Sequence, residues 1–194
     1  MLLFFFTKRA LRVVDHLFLQ HDLLKSTVIA STKWLLYIAF MKTIYVDTSV
    51  FGGKFDEEFE YWTKKFFDKV IANNVKLLKS DVVDDELAGS PKFVMDFVDS
   101  IPNQIIQQTD LSEEGVWLAE QYIKEEVVGK ASRADCFHIA IATIHKVDLL
   151  VSWNFKHIVN IERIHGYNAV NLKNGFQTLE IRNPREAFDY EDNH

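Results

Sequence analysis

Two short apolar runs constrain this chain more than any other feature. Thr43-Ile44-Tyr45-Val46 is β-prone and stops at a carboxylate, Asp47. Leu149-Leu150-Val151-Ser152 is apolar almost throughout. The second run, continuous and apolar, suits a strand in the middle of a parallel sheet, which is covered on both faces. Thr48-Ser49 and Gly52-Gly53 follow the first run, as a strand-to-loop transition requires.

The stretch between the two runs alternates. Phe59, Trp62, Phe66, Phe67, Val70 and Ile71 recur at helical spacing between about Asp56 and Ala72, and Asn73-Asn74 breaks the pattern. Residues 75–80 read as a second strand. Ser80 or Asp81 then caps a short helix through Glu86 and Leu87, and Ser90-Pro91 opens another to about Val98. Gln104–Gln107 reads as a third strand, and Ser112-Glu113-Glu114 starts a long helix to about Val127, with Gly129 as a break. Ser132 caps an apolar, alanine-rich helix through Ile144, which its composition marks as buried. Past Ser152, residues 154–160 read as a helical turn, and 168–172 and 178–182 as edge strands. Alternating strands and helices imply an α/β domain with a mostly parallel sheet.

Composition narrows the class. The 194 residues are 48% hydrophobic and 26% charged, ordinary for a globular protein. Cys136 is the only cysteine, so intramolecular disulfides and cysteine-rich zinc sites are excluded, and a reducing, cytoplasmic setting fits best. The net charge of −6 argues against broad electrostatic attraction to nucleic acid, which must then be held locally or through metal ions.

The first forty residues differ from the rest. They carry Lys8, Arg9, Arg12, Lys25 and Lys33 against Asp15 and Asp22, a net of +3 that leaves −9 for the remainder. Leu2–Phe6 is too short, and wrongly flanked, for a signal peptide; residues 34–40 are too short to span a membrane. The segment is an amphipathic appendage, a membrane-surface helix, or not part of the native protein. The last is favoured, because a complete first strand follows Met41 directly. The expected organisation is an extension over 1–40 and one domain over 41–194.

Chemistry is sought beyond the carboxyl ends of the strands, where open parallel sheets bind ligands. Asp47 and Ser152-Trp153-Asn154 fall there. Glu86 and Asp135 are expected on helices near their N-terminal ends, with His138 one turn beyond Asp135. Three carboxylates in one cleft repel each other unless a hard divalent cation sits among them; Mg²⁺ or Mn²⁺ suits oxygen ligands and can activate a water. Plainer roles exist for each. Asp47 can cap the following turn, Glu86 can be a solvated neighbour of Asp84 and Asp85, Asp135 can complement a helix dipole, and His138 can be a hydrogen-bonded core residue.

Four blocks, in order, resemble the PIN-domain nucleases: Ile44–Phe51, Ser80–Glu86, Ser132–Ala140 and Val151–Phe155. They are most similar to the VapC-like toxin branch and extend over about residues 42–182. The resemblance implies a three-layer α/β/α fold and hydrolysis of RNA with Mg²⁺ or Mn²⁺ held by Asp47, Glu86 and Asp135. It also implies a cognate antitoxin and a homodimer. Asn154 stands where many members carry a fourth aspartate; it can ligate or orient through its amide but brings no charge. Thr48, Ser152 and His138 are auxiliary candidates, and Ser49 can orient Asp47. A catalytically weak PIN-like module that binds RNA or protein is the competing reading. A dinucleotide-binding enzyme lacks its glycine-rich loop, and a haloacid-dehalogenase-like phosphatase would need a second aspartate after Asp47.

Overall fold

The computed structural model describes residues 42–73 and 75–188; the expectations for residues 1–40 lie outside the described residues. Five strands alternate with helices: β1 (Thr43–Val46), α1 (Thr48–Gly53), α2 (Glu60–Ala72), β2 (Lys76–Ser80), α3 (Asp81–Leu87), α4 (Lys92–Ser100), β3 (Ile106–Thr109), α5 (Glu113–Lys124), α6 (Arg133–Ile144), β4 (Leu149–Val151), α7 (Ile161–Lys173) and β5 (Ile181–Arg182). The sheet runs β3-β2-β1-β4-β5, and every pair is parallel. Helices flank it in the three-layer α/β/α arrangement expected from the sequence.

The apolar runs explain the order. Ile44, Tyr45, Val46 and Leu149, Leu150, Val151 are all buried, and their strands are neighbours at the centre, with Tyr45 opposite Leu150. Chain polarity reverses its lateral direction there: β2 and β3 extend the sheet on one side of β1, β4 and β5 on the other. A crevice opens at such a switch point, above the carboxyl ends of the strands. Asp47 and Ser152 end the two strands that border it.

Each helix buries the face its spacing provides. On α2, Thr63, Phe66, Phe67 and Val70 are buried at i, i+3, i+4 and i+7. Helix α6 is buried from His138 to Thr143 without interruption. Ser80, Ser112 and Asn160 cap α3, α5 and α7 by accepting from the backbone N–H three residues on. A buried polar bridge ties three helices: Tyr122 Oη donates to Asn171 Oδ1 (2.6 Å), and Asn171 Nδ2 donates to Thr143 Oγ1 (3.2 Å).

One expected element is different. Residues 168–172 belong to helix α7 instead of an edge strand. Asn160 starts that helix, and Tyr167, Val170 and Asn171 are its buried residues, a helical spacing that the polar residues around them disguise. The third strand lies two residues later than expected, at 106–109. Residues 154–160 do form a turn, closed by Ile158 N–H donating to Asn154 O (3.0 Å).

Candidate metal centre

Asp47 is delivered to the crevice by the strand it follows. Its backbone N–H donates to Val151 O of β4 (3.0 Å), which continues the β1–β4 ladder by one step. The residue is the N-cap of α1, yet its side chain makes no capping hydrogen bond. Instead Oδ2 accepts from Ser152 Oγ (2.6 Å) and Ser49 Oγ (2.5 Å). These two hydroxyls fix one carboxylate oxygen and leave Oδ1 directed toward His138 (3.4 Å from Nε2). Asp47 is thus buried and held by hydroxyls on one oxygen, and its side chain caps no turn.

Glu86 is the penultimate residue of α3, so it lies near the C-terminal end of that helix and not its N-terminal end. A carboxylate there opposes the helix dipole and needs other partners. It has them. Thr48 Oγ1 donates to Oε2, and His138 Nε2 lies 3.2 Å from the same oxygen. Its acidic neighbours are occupied elsewhere: Asp84 pairs with Lys79 (2.5 Å), and Asp81 accepts from Leu111 N–H (2.9 Å). Burial would raise the Glu86 carboxyl, but the His138 hydrogen bond and charge and the Thr48 hydroxyl outweigh it, and the group sits below the ordinary glutamate range.

His138 meets both of the readings that the sequence offered for it. It is 2% exposed, as a core histidine would be, and it also faces both carboxylates. Nδ1 is 2.7 Å from Tyr45 Oη, which is 2.7 Å from Ser80 Oγ. Burial disfavours the imidazolium, but the Glu86 hydrogen bond and the charges of Asp47, Glu86 and Asp135 reverse that and raise its pKa. Tyr45 is the contributor that sequence reasoning missed. Its only advance signal was that a tyrosine inside an apolar strand needs a partner for its hydroxyl.

Asp135 opens α6, in its first turn. Its carboxyl is raised, first by burial and then by the charges of Asp47 and Glu86, with His157 and His138 opposing. Asn154 Nδ2 donates to Asp135 Oδ1 (2.7 Å), and Asn154 Oδ1 accepts from His157 N–H (3.0 Å). Asn154 therefore clamps Asp135 to the turn after β4. Of the nearby cations, Arg133 is committed to Glu120 (2.6 Å). Cys136 is fully buried, its thiol pushed up to about 12 chiefly by burial, so it is a packing residue.

Asp47, Glu86 and His138 each offer a ligand atom, and these atoms lie within 4.8 Å of one another. Oxygens on one Mg²⁺, bound at about 2.0–2.1 Å, are up to about 4 Å apart, so a small inward movement suffices. Asp135 lies outside that group. It is electrostatically coupled to all three members, and it is joined to the site through Asn154. The group offers two carboxylates and one imidazole, and the carboxylate oxygens suit a hard cation.

Neither a family model nor a curated protein matches the chain. Among solved structures it is similar to VapBC2 from Rickettsia felis bound to a promoter DNA fragment, at 13% identity over 73% of this chain and 98% of that one, TM-score 0.49. It is also similar to FitAcB from Neisseria gonorrhoeae (17%, 74% and 99%, TM-score 0.48) and to DNA-bound VapBC from Salmonella typhimurium (14%, 74% and 99%, TM-score 0.46). The likeness is distant. What the site does is read from its own residues. Among the described residues, no helix is long and apolar enough to cross a membrane.

Proposed function

We propose that this protein is a metal-dependent ribonuclease, the toxin half of a toxin–antitoxin pair. The observation that supports this best is that ligand atoms of Asp47, Glu86 and His138 lie within 4.8 Å of one another at the switch of the sheet, with Asp135 tied to the adjoining turn by Asn154. Asp47 and Glu86 hold a Mg²⁺ or Mn²⁺ ion directly, and Asp135 completes its shell directly or through a water. When bound, such an ion supplies a water of lowered pKa and offsets charge developing on the scissile phosphate.

The protein's own groups do the rest. Ser49 and Ser152 hold Asp47 in one rotamer, so that Oδ1 faces the site. Thr48 does the same for Glu86, and Asn154 for Asp135. The Tyr45–Ser80 pair anchors His138 from behind, which keeps Nε2 between the two carboxylates. In that position a protonated His138 would lower the repulsion between the two carboxylates. RNA as substrate, a cognate antitoxin and a homodimer follow from the resemblance of the four sequence blocks to VapC-like proteins.

The test is hydrolysis of a labelled RNA with Mg²⁺ or Mn²⁺. Asp47→Ala and Asp135→Ala should each reduce the rate at least 100-fold, and chelation should abolish it. Equal rates in the wild type and both variants sink the assignment. The competing reading, a PIN-like module that binds without cutting, is favoured by one observation: Asn154 brings no charge where a fourth carboxylate would strengthen metal binding. Tight Mn²⁺ and RNA binding without cleavage would select it.

A further inference from the structure

An aromatic cleft of about 540 Å³ is lined by Trp153, the residue between Ser152 and Asn154 in the turn after β4. That volume lies within the range of small-ligand clefts, about 300–1,000 Å³. Its inner wall is Trp153, whose ring stacks on Phe59 (centroids 4.4 Å apart, planes 21° apart). Trp153 Nε1–H donates to Thr63 Oγ1 (2.9 Å), so the indole is fixed in place. Gly53 permits this position, because a Cβ there would meet the indole at 2.7 Å. Toward solvent, Phe155 tilts against both rings and is 46% exposed. The Arg185 guanidinium lies over the Trp62 ring, 5.2 Å from its centroid.

The cleft and the carboxylates are joined through the turn after β4. Trp153 stands between Ser152, which donates to Asp47, and Asn154, which donates to Asp135. The Trp153 backbone N–H donates to Ser49 Oγ (2.9 Å), the hydroxyl that also holds Asp47. The rim carries Glu58 and Glu186, which repel a phosphate, while the aromatic walls and the guanidinium offer flat stacking faces.

We propose that this cleft receives an unpaired nucleobase of the RNA, stacked against Phe155 with the Arg185 guanidinium beside it, and so sets the strand's position on the carboxylate site. The proposal rests on the ribonuclease reading for the identity of the strand. Base-on-aromatic stacking tolerates any sequence, because every base has a π face. The cleft therefore selects single-stranded over paired RNA.

The test is fluorescence anisotropy with a labelled single-stranded RNA hexamer, on the full chain with chelator present so that no cleavage occurs. Phe155→Ala and Arg185→Ala change exposed side chains and leave the core intact. Each should weaken binding about 5-fold or more, the loss expected for one stacked base. A hexamer of the same length without bases should bind wild type and variants alike. Phe93→Ala, an exposed aromatic on α4 outside the cleft, should bind RNA as the wild type does. With metal restored, the cleft variants should raise KM and leave kcat nearly unchanged.

Wild-type affinity in both cleft variants overturns the proposal and leaves the cleft as a docking site for a protein segment. Loss of affinity for the base-free hexamer as well overturns it too, because the residues would then hold the backbone. The two readings fail separately. Cleavage lost in Asp47→Ala but unaltered RNA affinity in the cleft variants leaves the nuclease without the base site. Base-dependent binding with no cleavage by any form leaves the base site without the nuclease.

Discussion

Asn154 shows how much one side chain decides at this site. Its amide donates to Asp135 and its carbonyl accepts from the turn that follows, so without metal it holds a carboxylate that another carboxylate would repel. Asn154→Asp should therefore lower the melting temperature of the metal-free protein and tighten Mn²⁺ binding; calorimetry and thermal scans with and without metal check both signs. The His138–Glu86 pair sets a pH dependence. His138 has its folded pKa raised above 6.5, so its contribution to stability is full below about 6.5 and is lost as pH rises through the folded value. Glu86 has its pKa lowered below 4.5, so its contribution is present above about 4.5 and is lost as pH falls through the folded value. The pair should be strongest between those limits. Denaturant midpoints of the metal-free protein should fall toward alkaline pH, and His138→Gln should flatten that fall.

At the scale of elements, three helices end in the same way. After α5, α6 and α7, the residues Glu126, Lys146 and Gly175 have φ of 58°, 51° and 83°. Each closes a Schellman motif: Lys146 N–H donates to Thr143 O (3.1 Å) and Val147 N–H to Ala142 O (3.2 Å). Glycine alone adopts this conformation without steric penalty, and only the last motif has it. Lys146→Gly should stabilise the protein by about 0.5–1 kcal/mol, readable as a higher urea midpoint at unchanged slope. The same motifs explain why boundaries were harder to read than elements. The sequence suggests that the helix after Ser112 runs to Val127, because Gly129 is the visible break. The chain stops it at Lys124 with Glu126, a residue that carries no stop signal.

The whole molecule depends on the central pair of strands. Leu150 is fully buried on β4, opposite Tyr45 of β1, and its strand carries Ser152 to Asp47. Leu150→Ala should cost about 2–5 kcal/mol of stability through lost burial and a residual cavity. Activity per folded molecule should fall as well, since the same strand aligns the site; equilibrium denaturation alongside active-site titration separates the two effects. A surface change such as Phe93→Ala should do neither.

Local pattern determined the strands that matter here. Two apolar runs ending in polar residues read as strands, and Ser112 and the Ser80-Asp81 pair marked helix starts, because both signals act over a few neighbouring positions. Asp47 and Ser152 were legible as strand-end residues for the same reason. Tertiary structure decided the remainder. Residues 168–172 lie in helix α7, whose polar Asn171 is buried because Tyr122 and Thr143, 49 and 28 positions away, satisfy its amide. His138 proved to be both a core residue and a neighbour of the carboxylates. That dual role exists only because the parallel order β2-β1-β4 brings Tyr45, Ser80, Glu86 and Asp47 around one buried ring. Spacing along a chain cannot encode such a meeting, since each contact closes a loop whose length carries no period.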